Sequence, residues 1–364
     1  VARGVSRGPT AMNPRAHSGD AAAPAFWSPG GRWALASLWI LASALLTQCA
    51  TMPARSHAPR LHPAAWSAGD GKSLPYTVWP ARVAGVDAAA KPRAVLVCVH
   101  GLSGAATDFW PLGQELPGRG LTVYGMELRG QGSDPDVTVR GDIAGRREWM
   151  RDLREFTSLV AAEHPGAPVF WLGESMGSLV ALHTAADGPR EESAGPRGLI
   201  LLSPAVALRQ GLPWWKGSLA RMASCLVPAH RIPLAALDPA QVPGMRITSV
   251  STQASQAPLT PHLVPAHSLR LLREVHALMA SSDRSASQLR LPVLVLYTAQ
   301  DPVASREQIE TWFSRIGSAD KTPLFFPEDF HLILHDDHRW QATAAIGEWL
   351  LDHAALPFSQ DGGH

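Results

Sequence analysis

The sequence predicts an α/β protein: a mostly parallel, doubly wound sheet with a helical cap inserted above the sheet's C-terminal edge. Three observations carry this. From about residue 72, short apolar β-branched runs alternate with helix-like segments, the pattern of parallel strands covered on both faces. A serine flanked by glycines, Gly173-Glu174-Ser175-Met176-Gly177, joins one such run directly to a helix-like run. Residues 207–289 then break the alternation over a stretch too long for a plain connection.

A chain of 364 residues accommodates one large α/β domain with an insertion, or two domains. Formal net charge is +1 and no basic block is interleaved with aromatics, which disfavours a nucleic-acid partner. Hydrophobic content of 46% with 31 Pro and 31 Gly fits a globular chain with many loops.

Residues 1–52 are expected to stand outside the fold as an export segment. Arg3, Arg7, Arg15 and Arg32 precede the uncharged run Trp33–Leu46. That run is shorter than the ~20 residues a bilayer-spanning helix needs, and it matches the apolar region of an export signal. Leu46-Thr47-Gln48-Cys49-Ala50 follows and resembles a bacterial lipoprotein box, with Cys49 the lipidation candidate. Gln48 stands where that box usually has a small residue, so plain signal cleavage and an uncleaved anchor remain alternatives. The expectation is an exported protein of the bacterial envelope, a membrane lipoprotein or periplasmic, with a membrane surface as partner through that anchor. Residues 53–71 read as a linker.

The core is expected over 72–206 and 290–356. Leu74–Trp79 reads as an antiparallel edge strand, and Ala94–Val99 as a strand buried on both faces, with Cys98 a small buried hydrophobe. Leu121–Met126 is the next strand. Trp149, Leu153, Phe156, Leu159 and Val160 place a helix over 146–164, stopped by His164-Pro165-Gly166. Strand 168–172, helix 175–186, strand 198–202, strand 292–297 and strand 323–326 follow. Trp340, Ala344, Ile346, Trp349 and Leu350 mark a closing helix. The cap, 207–289, holds Trp214-Trp215 and ends in a periodic segment from Leu269 to Met279. Residues 357–364 read as a flexible tail.

The chemistry begins at the glycine-flanked serine. Strand, sharp turn and helix together make a nucleophile elbow, which lifts Ser175 clear of the sheet at a helix N-terminus. An activated serine needs a base, and the base needs an orienting acid. Asp301 falls just after strand 292–297 and His331 follows strand 323–326, so both lie at the sheet edge that carries Ser175, where open α/β sheets bind ligands. Taken singly, Asp301 fits an ordinary Asp-Pro turn and His331 a surface loop; chain order and placement together favour a triad. His335 is the competing base, set aside because it is expected to begin the following helix. His331, His335 and His338 also suggest a metal cluster, but the glutamate a zinc protease places inside such a pair is missing, so no metal site is assigned. The oxyanion hole needs two backbone N–H groups. Met176 supplies one and Leu102, after His100-Gly101, the other; His100 is expected to be a structural hydrogen-bonding residue.

His100-Gly101, the turn Glu127-Leu128-Arg129-Gly130-Gln131-Gly132-Ser133, the elbow, Asp301 and His331 together resemble the α/β-hydrolase superfamily. The similarity is to its monoacylglycerol lipase and lysophospholipase-like branch, grouped also with serine aminopeptidases, and it spans roughly residues 70–355. Glu127 replaces an Asp, Glu174 a His and Ser178 a Gly of the usual pattern, so no catalytic group is lost. The resemblance implies hydrolysis through an acyl-enzyme on Ser175, with no metal or organic cofactor and a small lipid-like ester as substrate. His100, Gly101, Glu174, Trp214 and Trp215 are the substrate-binding candidates. The cap residues Trp214, Trp215, Leu219, Met222, Leu226 and Val227 would line an acyl-chain tunnel or rest on a bilayer, although packing of the cap onto the core is the plainer expectation for most of them. A serine aminopeptidase using the same triad, with Glu174 or an acid in the cap receiving the substrate amine, is one alternative. A non-catalytic binding protein that keeps the fold is another.

Overall fold

A computed structural model describes residues 57–355 except 84–85, 90, 189–194, 210, 212–213, 234–235, 237–245 and 252–260. The export segment with Cys49 and the C-terminal tail fall outside the described residues, as do the side chains of Trp214 and Trp215.

Nine strands form the main sheet: β1 (Arg60–His62), β2 (Ala65–Ser67), β3 (Ser73–Trp79), β6 (Ala94–Val99), β7 (Leu121–Met126), β8 (Val169–Glu174), β9 (Leu199–Leu202), β12 (Val293–Thr298) and β13 (Lys321–Phe326). Two short pairs complete the set, β4 (Arg82–Val83) with β5 (Val86–Ala89), and β10 (Arg231–Pro233) with β11 (Ala266–Ser268). The order across the main sheet is β1-β2-β3-β7-β6-β8-β9-β12-β13. From β7 to β13 neighbours are parallel; β1, β2 and β3 add antiparallel pairings. All residues of β6, β7, β8, β9 and β12 are buried, which is why they read as unbroken apolar runs.

Helices cover both faces. On one lie α2 (Arg146–Glu163), α3 (Met176–Asp187), α5 (Leu269–Gln288) and α6 (Arg306–Ser314), packed through Leu153, Phe156, Leu179, Leu271 and Trp312. On the other lie α1 (Trp110–Glu115) and α7 (Arg339–Ala355), packed through Leu112, Ile346 and Leu350. Helix α4 (Trp214–Leu226) belongs to the inserted region.

Four expectations are corrected. Leu74–Trp79 is antiparallel but not an edge: β2 pairs with β3, and Trp66 in β2 is fully buried against Phe156. Residues 57–71 are thus part of the sheet rather than a linker, in strands too short to show a two-residue alternation. Helix α5 is not cap but core. Its Leu271 and Leu278 are fully buried, and His183 of α3 is locked between Leu278 O and Ser285 Oγ at 2.8 Å each. Sequence periodicity showed that α5 is amphipathic, but not which surface it covers. Within α4 and just beyond it, Leu219, Met222, Leu226 and Val227 are exposed, so these four do not pack a cap onto the core.

Candidate active site

The elbow is a steric consequence of its glycines. A Cβ on Gly173 would lie 2.4 Å from Gly177 O, and one on Gly177 only 2.1 Å from Val99 O. Ser175 itself is held at φ 52°, ψ −114°, ahead of the first residue of α3. Backbone strain of this kind persists only where the surroundings impose it. Ser178, in place of the usual glycine, sends its hydroxyl back to Gly173 O at 2.7 Å, bracing the turn from the helix side.

The three residues distant in sequence converge. His331 Nε2 lies 2.9 Å from Ser175 Oγ, and His331 Nδ1 lies 2.8 Å from Asp301 Oδ2. An ionised carboxylate only accepts, so the imidazole proton resides on Nδ1 and leaves Nε2 to accept from the serine hydroxyl. Asp301 is fully buried, and its other oxygen accepts from Val303 N–H at 2.7 Å and Ala304 N–H at 3.3 Å. The Asp-Pro turn and the triad acid are therefore the same side chain, one oxygen serving each. Burial acts to depress the His331 pKa, but the charge and hydrogen bond of Asp301, with Glu174 adding to them, raise it above the ordinary histidine value.

The other two histidines go elsewhere. His335 lies in a single 3-10 turn, Ile333–His335, with its ring 6.2 Å from that of Trp110; it does not begin the closing helix, which starts at Arg339. His338 Nδ1 meets Asp329 Oδ1 at 2.7 Å.

The loop after β6 runs against the nucleophile. A Cβ on Gly101 would stand 3.2 Å from Ser175 Cβ and 3.4 Å from Glu174 O, so glycine lets this backbone come close. Leu102 follows it, and Met176 opens α3, where a first-turn N–H has no intrahelical partner. His100 is fully buried, with Nδ1 2.9 Å from Gly101 O and Nε2 3.1 Å from Glu127 Oε1. Glu127 Oε2 also accepts from Ala106 N–H at 3.1 Å. His100 and Glu127 thus shape the loop rather than face a ligand.

Glu174 is 5% exposed and its Oε1 has no hydrogen-bond partner among the described residues. By the two-residue period of β8 it shares a face with Phe170 and Leu172, beneath the nucleophile. Burial first, then the nearby Asp108 charge, lifts its pKa to about 7; His331 and His100 oppose this.

Sequence reasoning missed Ser103, Gln131 and His267. Ser103 is a non-glycine residue at φ 60°, and Gln131 and His267 bind it. Gln131 lies inside the Glu127–Ser133 turn already singled out, whereas no sequence signal marks His267.

Comparison with known proteins places this geometry in company. Residues 90–338 match the family described as "Serine aminopeptidase, S33". A monoacylglycerol lipase of Mycolicibacterium smegmatis is 27% identical over 266 residues, covering 72% of this chain and 89% of that protein. Human monoglyceride lipase is 25% identical over 273 residues, covering 70% and 85% respectively. The crystal structure of Paleococcus ferrophilus monoacylglycerol lipase superposes with a TM-score of 0.64 at 24% identity, over 77% of this chain and 99% of that one.

Proposed function

The chain belongs to the serine aminopeptidase S33 family of α/β-hydrolases, and from that premise we propose that it is a serine hydrolase cleaving carboxylic esters of lipid-like substrates, such as monoacylglycerols or lysophospholipids. The observation that carries this is the unbroken relay from Ser175 Oγ through His331 to Asp301, at 2.9 and 2.8 Å. Ser175 Oγ attacks the ester carbonyl while its proton passes to His331 Nε2. The resulting oxyanion is assigned to the Leu102 and Met176 N–H groups, which the Gly101 loop and the first turn of α3 bring beside Ser175. Collapse breaks the bond to the alcohol, which leaves with the proton from His331, and an acyl-enzyme remains on Ser175. Water, deprotonated by His331, then attacks the acyl carbon, and His331 returns that proton to Ser175 Oγ as the bond to the acyl group breaks and the acid leaves. The lipid-like substrate class is supported by the monoacylglycerol lipases among the relatives.

The aminopeptidase alternative asks Glu174, or an acid in the cap, to receive a substrate ammonium. A carboxyl that is 5% exposed and titrates near 7 is a poor receptor for that charge, which argues against Glu174 in that role.

The test is a panel of p-nitrophenyl and glycerol esters set against aminoacyl arylamides. Medium-chain esters are expected to turn over and Ser175→Ala to lose at least ~10⁴-fold in kcat, the scale set by removing the nucleophile of such a triad. Undiminished turnover by Ser175→Ala, or arylamides cleaved faster than esters, contradicts the reading.

A further inference from the structure

The turn that carries Leu102 is closed by Gly104 N–H on Gly101 O at 3.2 Å, with Leu102 and Ser103 as its two central residues. The second central position has φ 60°, a conformation that turns normally give to glycine and that strains any other residue. Glycine would sit there without strain, but it would have no hydroxyl. That hydroxyl is in use: Ser103 Oγ lies 2.9 Å from His267 Nε2 and 3.3 Å from Val264 O, while Ser103 N–H donates to Gln131 Oε1 at 2.9 Å.

We propose that His267 and Gln131 are positioning residues for the oxyanion hole, holding the Leu102–Ser103 turn so that the Leu102 N–H stays aimed at the developing charge. The proposal rests on the esterase reading above. It adds that strand β11, inserted from the region between β9 and α5, takes part in stabilising the transition state.

The proton count fits one arrangement. A hydroxyl has a single proton, and Val264 O can only accept it, so His267 Nε2–H must donate to Ser103 Oγ. The ring's Nδ1 is then the unprotonated atom, and it is the one with no partner among the described residues. Burial and the neighbouring Arg231 hold this histidine down at about 4, so the ring is neutral at working pH. Both ends of the contact are rigid. His267 is fully buried and paired with Ile232 across β10, and Ser268 beside it anchors to Gly141 O at 2.7 Å and to Asp142 Oδ1 at 2.5 Å. Gln131 is also fully buried, in a turn closed by its own N–H on Leu128 O at 3.0 Å.

The experiment compares His267→Gln with His267→Asn in medium-chain ester turnover, alongside thermal melting. A glutamine amide nitrogen reaches the place of Nε2; an asparagine's reaches only that of Nδ1. His267→Asn should lose ~10- to 100-fold in kcat with KM unchanged, the range for a misplaced rather than deleted hole donor, and His267→Gln should recover most of it. Ser103→Ala should show the same kcat loss, and combining it with His267→Asn should add nothing. Equal losses in the Gln and Asn variants, a change confined to KM, or full kcat in Ser103→Ala overturns the proposal. Ser103→Ala reads the contact even if His267→Asn fails to fold. A wild-type chain that neither turns over esters nor reacts with a fluorophosphonate would instead overturn the esterase reading.

Discussion

His331 is buried between Asp301, at hydrogen-bond distance, and the more remote charge of Glu174, and both raise its pKa above the usual histidine value of ~6.5. As a general base it works only unprotonated. kcat/KM should therefore fall as pH drops through the raised pKa, with the acid limb lying above ~6.5. Glu174 titrates at about 7 in the same region, so the limb belongs to the pair rather than to His331 alone. Asp108 and His100 are the other charged or titratable groups that Glu174 senses. Glu174→Gln removes a negative charge from the vicinity of His331, and the acid limb should move to lower pH with kcat at the plateau retained. A limb that stays in place would mean that Glu174 is screened from the base. Asp301 shows what was readable at this scale: chain order and strand-end placement named it as the partner of His331, whereas the division of its two oxygens between the turn and the imidazole is a fact of three dimensions.

At the scale of elements, the elbow couples β8, α3 and the β6 loop through close backbone approaches, with the Ser178 hydroxyl bracing α3 against β8. A methyl on Gly177 would lie 2.1 Å from Val99 O and 2.6 Å from His100 O, and neither carbonyl can retreat without moving β6 or the loop that bears Leu102. Gly177→Ala should thus cost roughly 1–3 kcal/mol by overpacking, lower the melting temperature by about 2–5 °C, and reduce esterase activity even below the transition. A variant with wild-type melting and turnover would show that the elbow is looser than its geometry implies. The elements themselves were legible where burial is total, as in β6 and β8, whose unbroken apolar runs have no other reading. They were less legible where partner choice decides. The apolar stripe of α5 identified a helix but not its seat on α3, and the three-residue strand β11 gave no hint that its His267 would reach Ser103. Long-range pairings of this kind leave no local periodicity to read.

Over the whole molecule, the segment that precedes β3 is stitched into the fold by charge as well as by strand pairing. Asp70 receives Arg129 Nη1 at 2.8 Å and Arg151 Nη2 at 2.6 Å, while Arg129 also holds Asp152 of α2 through Nε at 2.8 Å. The two arginine side chains are only 11% and 12% exposed, so losing Asp70 leaves positive charge buried with part of its compensation gone. Breaking such a buried pair costs ~3–5 kcal/mol, and deleting a buried tryptophan such as Trp66 costs a similar amount. Together they rival the ~5–15 kcal/mol that holds a typical domain folded. A chain begun at Met52 should therefore be soluble and melt cooperatively. One begun at Ser73 keeps every catalytic residue, yet it should aggregate or melt far lower, with β3 uncovered along its outer edge. If the shorter chain melted at the same temperature with full esterase activity, β1, β2 and the Asp70 clamp would be dispensable decoration on the sheet. The arginines make the opposite outcome the expected one, because Asp70 is the carboxylate that both of them share at hydrogen-bond distance, while Glu148 and Glu155 stand farther off at 4.0 and 3.9 Å.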